Sequence, residues 1–223
     1  MERYTVSRRV EAILTTGDNF YSDDGTFLMQ PYHWVSDRGI DWWVTWGNHD
    51  IESETRIKAV NSIFDDPPRW TVHEWGAVDV VILDSNQVDS IEQAVFFLAA
   101  MANSDRPIIV ALHHPPYSCS HHGSTTEIVN QWVSILDQDV ILVLSGHDHS
   151  YQRFESEGIT YVVTGGGGRF LRPLSNCSEN HPERLAGAEL HHFLTLEQTE
   201  SSIELTAIDV NGVPFDQVSI AIP

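Results

Sequence analysis

Ile13-Leu14-Thr15-Thr16-Gly17-Asp18-Asn19-Phe20-Tyr21 is a short apolar run that halts at a glycine, a carboxylate and, three residues later, a phenol. It has the composition of a buried strand, and a carboxylate just beyond such a strand lies at the carboxyl edge, where open α/β sheets place their ligands. Gly-Asp after a strand is also an ordinary turn, so Asp18 alone decides nothing. The pattern recurs three times. Trp42-Trp43-Val44-Thr45-Trp46 runs into Gly47-Asn48-His49-Asp50, Ile108-Ile109-Val110-Ala111-Leu112 into His113-His114-Pro115-Pro116, and Ile141-Leu142-Val143-Leu144-Ser145 into Gly146-His147-Asp148-His149. Apolar runs that each end in metal-capable side chains predict strands buried under helices, with their polar ends converging on one rim.

At 223 residues and 41% hydrophobic, the chain can bury a full core, and residues 1–223 read as a single domain. No linker, low-complexity tract or solenoid repeat interrupts it. No apolar run is long enough to cross a bilayer, which predicts a soluble protein with no membrane partner. Acidic residues number 32 against 12 basic ones, for a formal charge of −20, and Lys58 is the single lysine. Nucleic acid as a partner needs clustered Lys and Arg, so it is excluded. The charge reads as a solvated surface, and an anionic substrate would need positive charge that bound metal ions supply. Cys119 and Cys177 lie far apart in loop-like contexts and outside any Cys-x-x-Cys pattern, which removes zinc-finger and thioredoxin readings. They are two free thiols or one bridge; a bridge implies an oxidising compartment.

The chain predicts a helix tail over Met1 to Val10, a strand over Glu11 to Thr16, and a loop with one helical turn over Ser22 to Asp41. A strand over Trp42 to Trp46, a helix over Glu52 to Phe64, and a hairpin of Thr71 to Trp75 and Val78 to Leu83 follow. Ser90 and Gln93 stand in capping-box spacing for a helix over Ser90 to Ala102, before the strand Ile108 to Leu112. Ser124 to Glu127 forms a second such box, opening a helix whose Ile128, Trp132, Ile135 and Leu136 share a face and which leads to the strand Val140 to Leu144. Beyond His149, strands at Ile159 to Thr164, His192 to Leu196, Ile203 to Val210 and Gln217 to Ile222 form a meander with a turn at Asn211-Gly212. Strand-helix alternation followed by a meander predicts two sheets packed face to face with helices outside, an α/β fold of four layers.

Of the twelve histidines, seven lie in or just after the strand-ending stretches: His49, His113, His114, His121, His122, His147 and His149. The others, His33, His73, His181, His191 and His192, read as ordinary surface or core residues. In an extended segment, residues i and i+2 face the same way about 7 Å apart, so His147 and His149 are predicted to serve two neighbouring ions about 3.5–4 Å apart. Asp18 is the candidate carboxylate to bridge them. Imidazole, carboxylate and amide oxygen suit zinc, iron or manganese, and phenolate from Tyr21 favours a hard ion such as Fe(III). A pair of such ions generates hydroxide near neutral pH and clamps the attacking and leaving oxygens of an in-line displacement, which is chemistry for phosphate esters.

Gly17 to Tyr21, Gly47 to Asp50, Val110 to His113 and Gly146 to His149 resemble, in order and spacing, the motifs of calcineurin-like metallophosphoesterases, and Tyr21 marks the purple acid phosphatase branch. The resemblance implies a four-layer αββα fold and a dinuclear centre of Fe(III) with a divalent zinc, iron or manganese. It implies hydrolysis of small phosphomonoesters by metal-bound hydroxide. Carried across by motif, Asp18 bridges the ions, Tyr21 and His149 hold the ferric ion, and Asn48, His113 and His147 hold the divalent one. His49, with His121 or His122 and His114, would orient the phosphate and protonate the leaving group. His113 and His114 are expected to point to opposite faces if the strand persists there. The resemblance, with a bridge between the cysteines, favours a secreted or periplasmic protein, with the cytoplasm as the alternative; oligomeric state is left open.

One departure stands out. The family carries an earlier strand ending in Asp-x-Gly or Asp-x-His, whose aspartate ligates the ferric ion, and residues 1–17 hold no aspartate. The expectation is an N-terminally truncated chain that lacks this strand, with Glu2 and Glu11 as the only acidic stand-ins. The alternative function is then a non-catalytic or single-metal relic that binds phosphate or metal without efficient turnover. Gly165 to Gly168 lacks the Lys-Ser/Thr of a P-loop and reads as a tight turn near the site, and Asp84-Ser85-Asn86 as a strand-ending turn.

Overall fold

The computed structural model describes residues 1–6, 8–22, 26–136, 139–179 and 181–223, with side chains of 26–31 left aside. Its strands are β1 (Ala12–Leu14), β2 (Asp41–Trp43), β3 (Thr71–Trp75), β4 (Val78–Ile82), β5 (Ile108–Ala111), β6 (Val140–Ser145), β7 (Tyr151–Ser156), β8 (Ile159–Thr164), β9 (Arg184–Ala188), β10 (His192–Gln198), β11 (Ser202–Asp209) and β12 (Pro214–Ala221). The helices are α1 (Glu2–Thr5), α2 (Thr26–Asp37), α3 (Glu54–Phe64), α4 (Ile91–Asn103) and α5 (Thr126–Gln131). A seven-stranded mixed sheet runs in the order β3-β4-β5-β6-β8-β7-β9, with a parallel centre of β4, β5, β6 and β8. The parallel pair β1-β2 and the antiparallel meander β10-β11-β12 face it.

The continuous apolar runs build two cores because successive side chains leave a strand on opposite faces. Ile108, Val110 and Leu112 pack with Phe97 and Met101 of α4 and Ile128 and Trp132 of the α5 region. Ile109 and Ala111 pack the other way, against Leu205 and Ala207 of β11 and Ile220 of β12, with Leu14 and Trp43 at the margin. On the far side of β1-β2, Val60 and Phe64 of α3 cover Phe20, Val44 and Trp46, while Trp34 and Val35 of α2 cover Ile13 and Trp42. The layers are therefore helix, sheet, sheet and helix, the expected αββα arrangement.

Differences from the sequence reading have local causes. The stretch expected to be loop with one turn holds the twelve-residue α2. Its proline and clustered aromatics hide a helical period, and the buried contacts of Trp34 and Val35 hold it in place. Strands β7 and β9 were not anticipated. The capping box at Ser124 is not formed: α5 starts after Thr125 without a side-chain cap, because the Ser124 hydroxyl is engaged with Ser118 and His181. The helix ends at Gln131 and continues as a 3₁₀ turn over Val133–Ile135. At α4, Ser90 does cap the amide of Gln93, but the Gln93 side chain bonds the main chain of Asp84 and Gln87 instead of returning to Ser90. Cys119 and Cys177 are bonded, with Cα atoms 5.1 Å apart.

Candidate metal centre

The ends of β1, β2, β5 and β6 bring Asp18, Asn48, His113 and His147 to one rim. Close approach there depends on glycine. Gly17 has φ +83°, and a Cβ on it would lie 2.5 Å from His113 Nδ1, while a Cβ on Gly47 would collide with Asp18. Asp18 (φ +54°) and His147 (φ +64°) themselves occupy the left-handed region, uncommon outside glycine and a frequent mark of functional positions. His147 and His149 thus do not sit on an extended segment, and it is the left-handed turn that separates their rings.

Two groups of donor atoms meet across the Asp18 carboxylate. On one side, Tyr21 Oη lies 3.1 Å from Asp18 Oδ2 and 3.0 Å from His149 Nε2. On the other, His113 Nε2 lies 3.3 Å from Asp18 Oδ1, 3.0 Å from Asn48 Oδ1 and 3.2 Å from His147 Nδ1. The protonation states follow from the outer partners. His113 Nδ1 faces the Thr16 carbonyl at 2.7 Å and must donate to it, so the neutral ring presents a lone pair at Nε2. His149 Nδ1 likewise faces the Phe170 carbonyl at 2.9 Å, which leaves its Nε2 as an acceptor. On the His113 side, lone pairs of a histidine, an amide and a carboxylate converge with too few protons among them. Burial lowers the pKa of His113, and burial with the neighbouring His113, His114, His122 and His149 lowers that of His147 to about 2, so protonation does not relieve the crowding. A cation does, and the donor set fits one on each side of Asp18. Glu2 pairs with Arg38 and Glu11 with Arg9, so neither joins the cluster.

The remaining histidines divide. His113 and His114 do not face opposite ways, since β5 ends at Ala111 and both rings lie within 5.0 Å of the His147 ring. His114 is held by Ser85 Oγ at 2.8 Å, and burial followed by repulsion from His113 lowers it to about 4. His49 donates its backbone amide to Asp18 and turns Nδ1 toward Glu52. The His122 ring stands 4.2 Å from His147, and His121 meets the His122 ring edge-on at the surface. Fully buried Asp148 accepts the amides of His122 and Gly123 and the Ser118 hydroxyl, fixing the His122 loop against the cluster.

A cleft of about 250 Å³ opens over this cluster, and besides the candidate ligands it is lined by His49, His122, Arg169, Phe170 and Arg172. The two arginines escaped the sequence reading. The signal available was two cationic residues in a very acidic chain, placed just after a strand that ends at the same rim. Residues 165–168 deliver them through an irregular bend, and Gly165 passes too close to the Asp148 carbonyl to admit a side chain. After β4, Ser85–Gln87 form a 3₁₀ turn capped by Asp84, and it supports His114 through Ser85.

The family model for calcineurin-like phosphoesterases matches residues 2–151. Purple acid phosphatase 7 of Arabidopsis thaliana is 24% identical over 95% of this chain and 76% of its own length. Tartrate-resistant acid phosphatase type 5 of Oryctolagus cuniculus is 29% identical over 90% of this chain and 76% of its own. Among solved structures, GAP50, titled the anchor in the inner membrane complex of Plasmodium, superposes with a TM-score of 0.80 at 16% identity over all of this chain and 82% of that one. Purple acid phosphatase PPD1 from yellow lupin seeds superposes at 0.77 and 17% identity over 98% of this chain, which spans about half, 47%, of the lupin chain. With that match over more than half its length, the chain belongs to the calcineurin-like phosphoesterase family.

Proposed function

We propose that residues 1–223 form a single metallophosphoesterase domain that hydrolyses small phosphomonoesters, as a phosphatase of the purple acid type. The observation that carries this reading is the pair of donor groups sharing Asp18. Asp18, Tyr21 and His149 would hold a ferric ion, and Asp18, Asn48, His113 and His147 a divalent zinc, iron or manganese. Such ions supply Lewis acidity toward phosphoryl oxygens and activate water near neutral pH. The protein's own part is to hold the ester in the cleft and to move a proton. His122 and His49 border the cleft and offer imidazoles to the departing alkoxide, with His121 and His114 behind them. The disulfide fits an exported protein. Among the described residues no helix is long and apolar enough to cross a membrane.

The test is metal content, visible absorption and p-nitrophenyl phosphate turnover of protein purified with iron and zinc supplied. About two metals per chain, a tyrosinate-to-iron band and turnover that falls by at least ~10³-fold in Asp18→Ala are expected. Folded protein that binds no metal and hydrolyses no ester would overturn the reading. A second reading, a non-catalytic or single-metal relic, is favoured by the Tyr21 side having three protein donors and by the fold's occurrence in a protein titled an anchor. It predicts at most one metal and no turnover.

A further inference from the structure

We propose that the outer face of α4 is a self-association surface through which two copies of this chain pair antiparallel. Of the 13 residues of α4 only Glu92 is charged. Phe97 and Met101 enter the core on one side of the helix, yet on the other Ile91, Val95 and Leu98 are 78, 62 and 50% exposed, and Ala99 and Ala102 are exposed beside them. A helix on the surface of a domain ordinarily turns polar residues to water. Helix α3, which covers the other sheet, does so: its exposed positions are Glu54, Thr55, Lys58 and Ser62. An apolar stripe facing outward from a chain of formal charge −20 therefore marks a contact and not a solvated face.

The spacing says what fits it. Ile91, Val95, Leu98 and Ala102 recur at intervals of four, three and four, the seam of a two-helix coiled coil. The pattern is also its own complement when reversed. Laid antiparallel about a two-fold axis between Phe96 and Phe97, Ile91 faces Ala102 of the second copy and Val95 faces Leu98, so each larger side chain meets a smaller one. Ala94 faces Ala99 alongside, and these small residues let the helices approach closely. A parallel pairing would stack Ile91 on itself, bring the two Glu92 carboxylates together and align the helix dipoles. The antiparallel one opposes the dipoles and parts the carboxylates.

Charge and area select a second copy over other occupants. Helix α4 carries no Lys or Arg, and Arg106 just beyond it is taken up by Glu74 and Asp79, so the face lacks the cations that hold an anionic bilayer or nucleic acid. The stripe offers on the order of 400 Å² per copy, short of the ~800 Å² per partner of a stable complex, so the pair forms weakly, with a Kd of about 10–100 µM. The rest of the surface works against it. Two copies of charge −20 repel at low ionic strength, and salt screens that repulsion. Self-association should therefore strengthen as salt is added, the reverse of a contact made by ion pairs.

The experiment is sedimentation equilibrium of the full chain from about 1 µM to about 1 mM, in about 20 mM and about 0.5 M NaCl. A monomer–dimer equilibrium is expected, at least about tenfold tighter at the higher salt. Val95→Glu and Leu98→Glu should each weaken it at least about tenfold and leave the thermal midpoint in place, because both side chains are exposed in the single chain. Register is read by oxidising a mixture of Ile91→Cys and Ala102→Cys chains. The mixed disulfide dimer should form in preference to either self-dimer, and the native cysteines, already bonded, do not compete. A chain that stays monomeric at ~1 mM in ~0.5 M NaCl, a dimer that both Glu substitutions leave intact, or self-dimers that outrun the mixed one would each overturn the proposal. A chain that stays monomeric and binds phosphatidylcholine vesicles through this face would assign it to lipid and overturn the pairing as well.

Discussion

Asp18 is the residue on which the site turns, because its two oxygens face different donor groups and its left-handed backbone aims them there. The groups are unequal. The His113 side has four protein donors with Asp18 counted, and the Tyr21 side has three. We therefore expect a chelator titration to remove metal in two steps, the ion beside Tyr21 first, with elemental analysis at each step; a single step would contradict the asymmetry. Tyr21→Phe should abolish any visible band and weaken that ion's binding by about 10–100-fold, leaving the other ion in place. His147→Ala should do the reverse.

At the scale of the element, α4 is tied to the turn after β4 by one buried side chain. Gln93 is 1% exposed and bonds the Asp84 amide, the Asp84 carbonyl and the Gln87 carbonyl, and the same turn carries Ser85 to His114. Gln93→Ala should cost about 1–3 kcal/mol, since it leaves buried main-chain groups unpaired. Urea melts with an unchanged midpoint would show that the turn holds without it. The Cys119–Cys177 bond, closing 58 residues, joins the His122 loop to the arginine segment. Its removal in a double Cys→Ser variant should lower stability by about 2–4 kcal/mol, read from the thermal midpoint.

Across the whole molecule, the two sheets are latched by one ionic contact as well as by their shared core. Tyr151 Oη donates to Asp216 Oδ2 at 2.6 Å, while Arg153 Nε and Nη2 grip both carboxylate oxygens at 2.7 and 3.0 Å, joining β7 to β12. Burial alone would raise the Asp216 carboxyl, but the Arg153 and Tyr151 donors outweigh it and the net pKa lies below the ordinary value. A carboxyl lowered on folding adds stability above its unfolded pKa, about 3.9, and that contribution is lost as pH falls through the lower folded value. Asp216→Asn should thus cost about 1–3 kcal/mol at neutral pH and much less near pH ~2. Denaturant midpoints that shift equally at both pH values would sink the linkage.

The sequence by itself determined the four-layer class and the rim. The apolar runs Ile108–Leu112 and Val140–Ser145 could satisfy both faces only between two cores, and their ends carry side chains chosen for chemistry, not for packing. Away from the rim, the His73 ring stacks on Trp43, and buried His192 pairs with Thr164 and the Leu190 carbonyl. Tertiary structure decided the rest, because those features depend on partners distant in the chain. Helix α2 exists through the packing of Trp34 and Val35, and Ser124 abandons its cap for Ser118 and His181. The lone pair of His113 is set by the carbonyl of Thr16, 97 residues away. The arginines' place at the cleft is invisible until the chain after β8 is folded against His149. Local pattern encodes which face a residue takes, whereas the proton it carries and the charge it meets depend on contacts made only on folding.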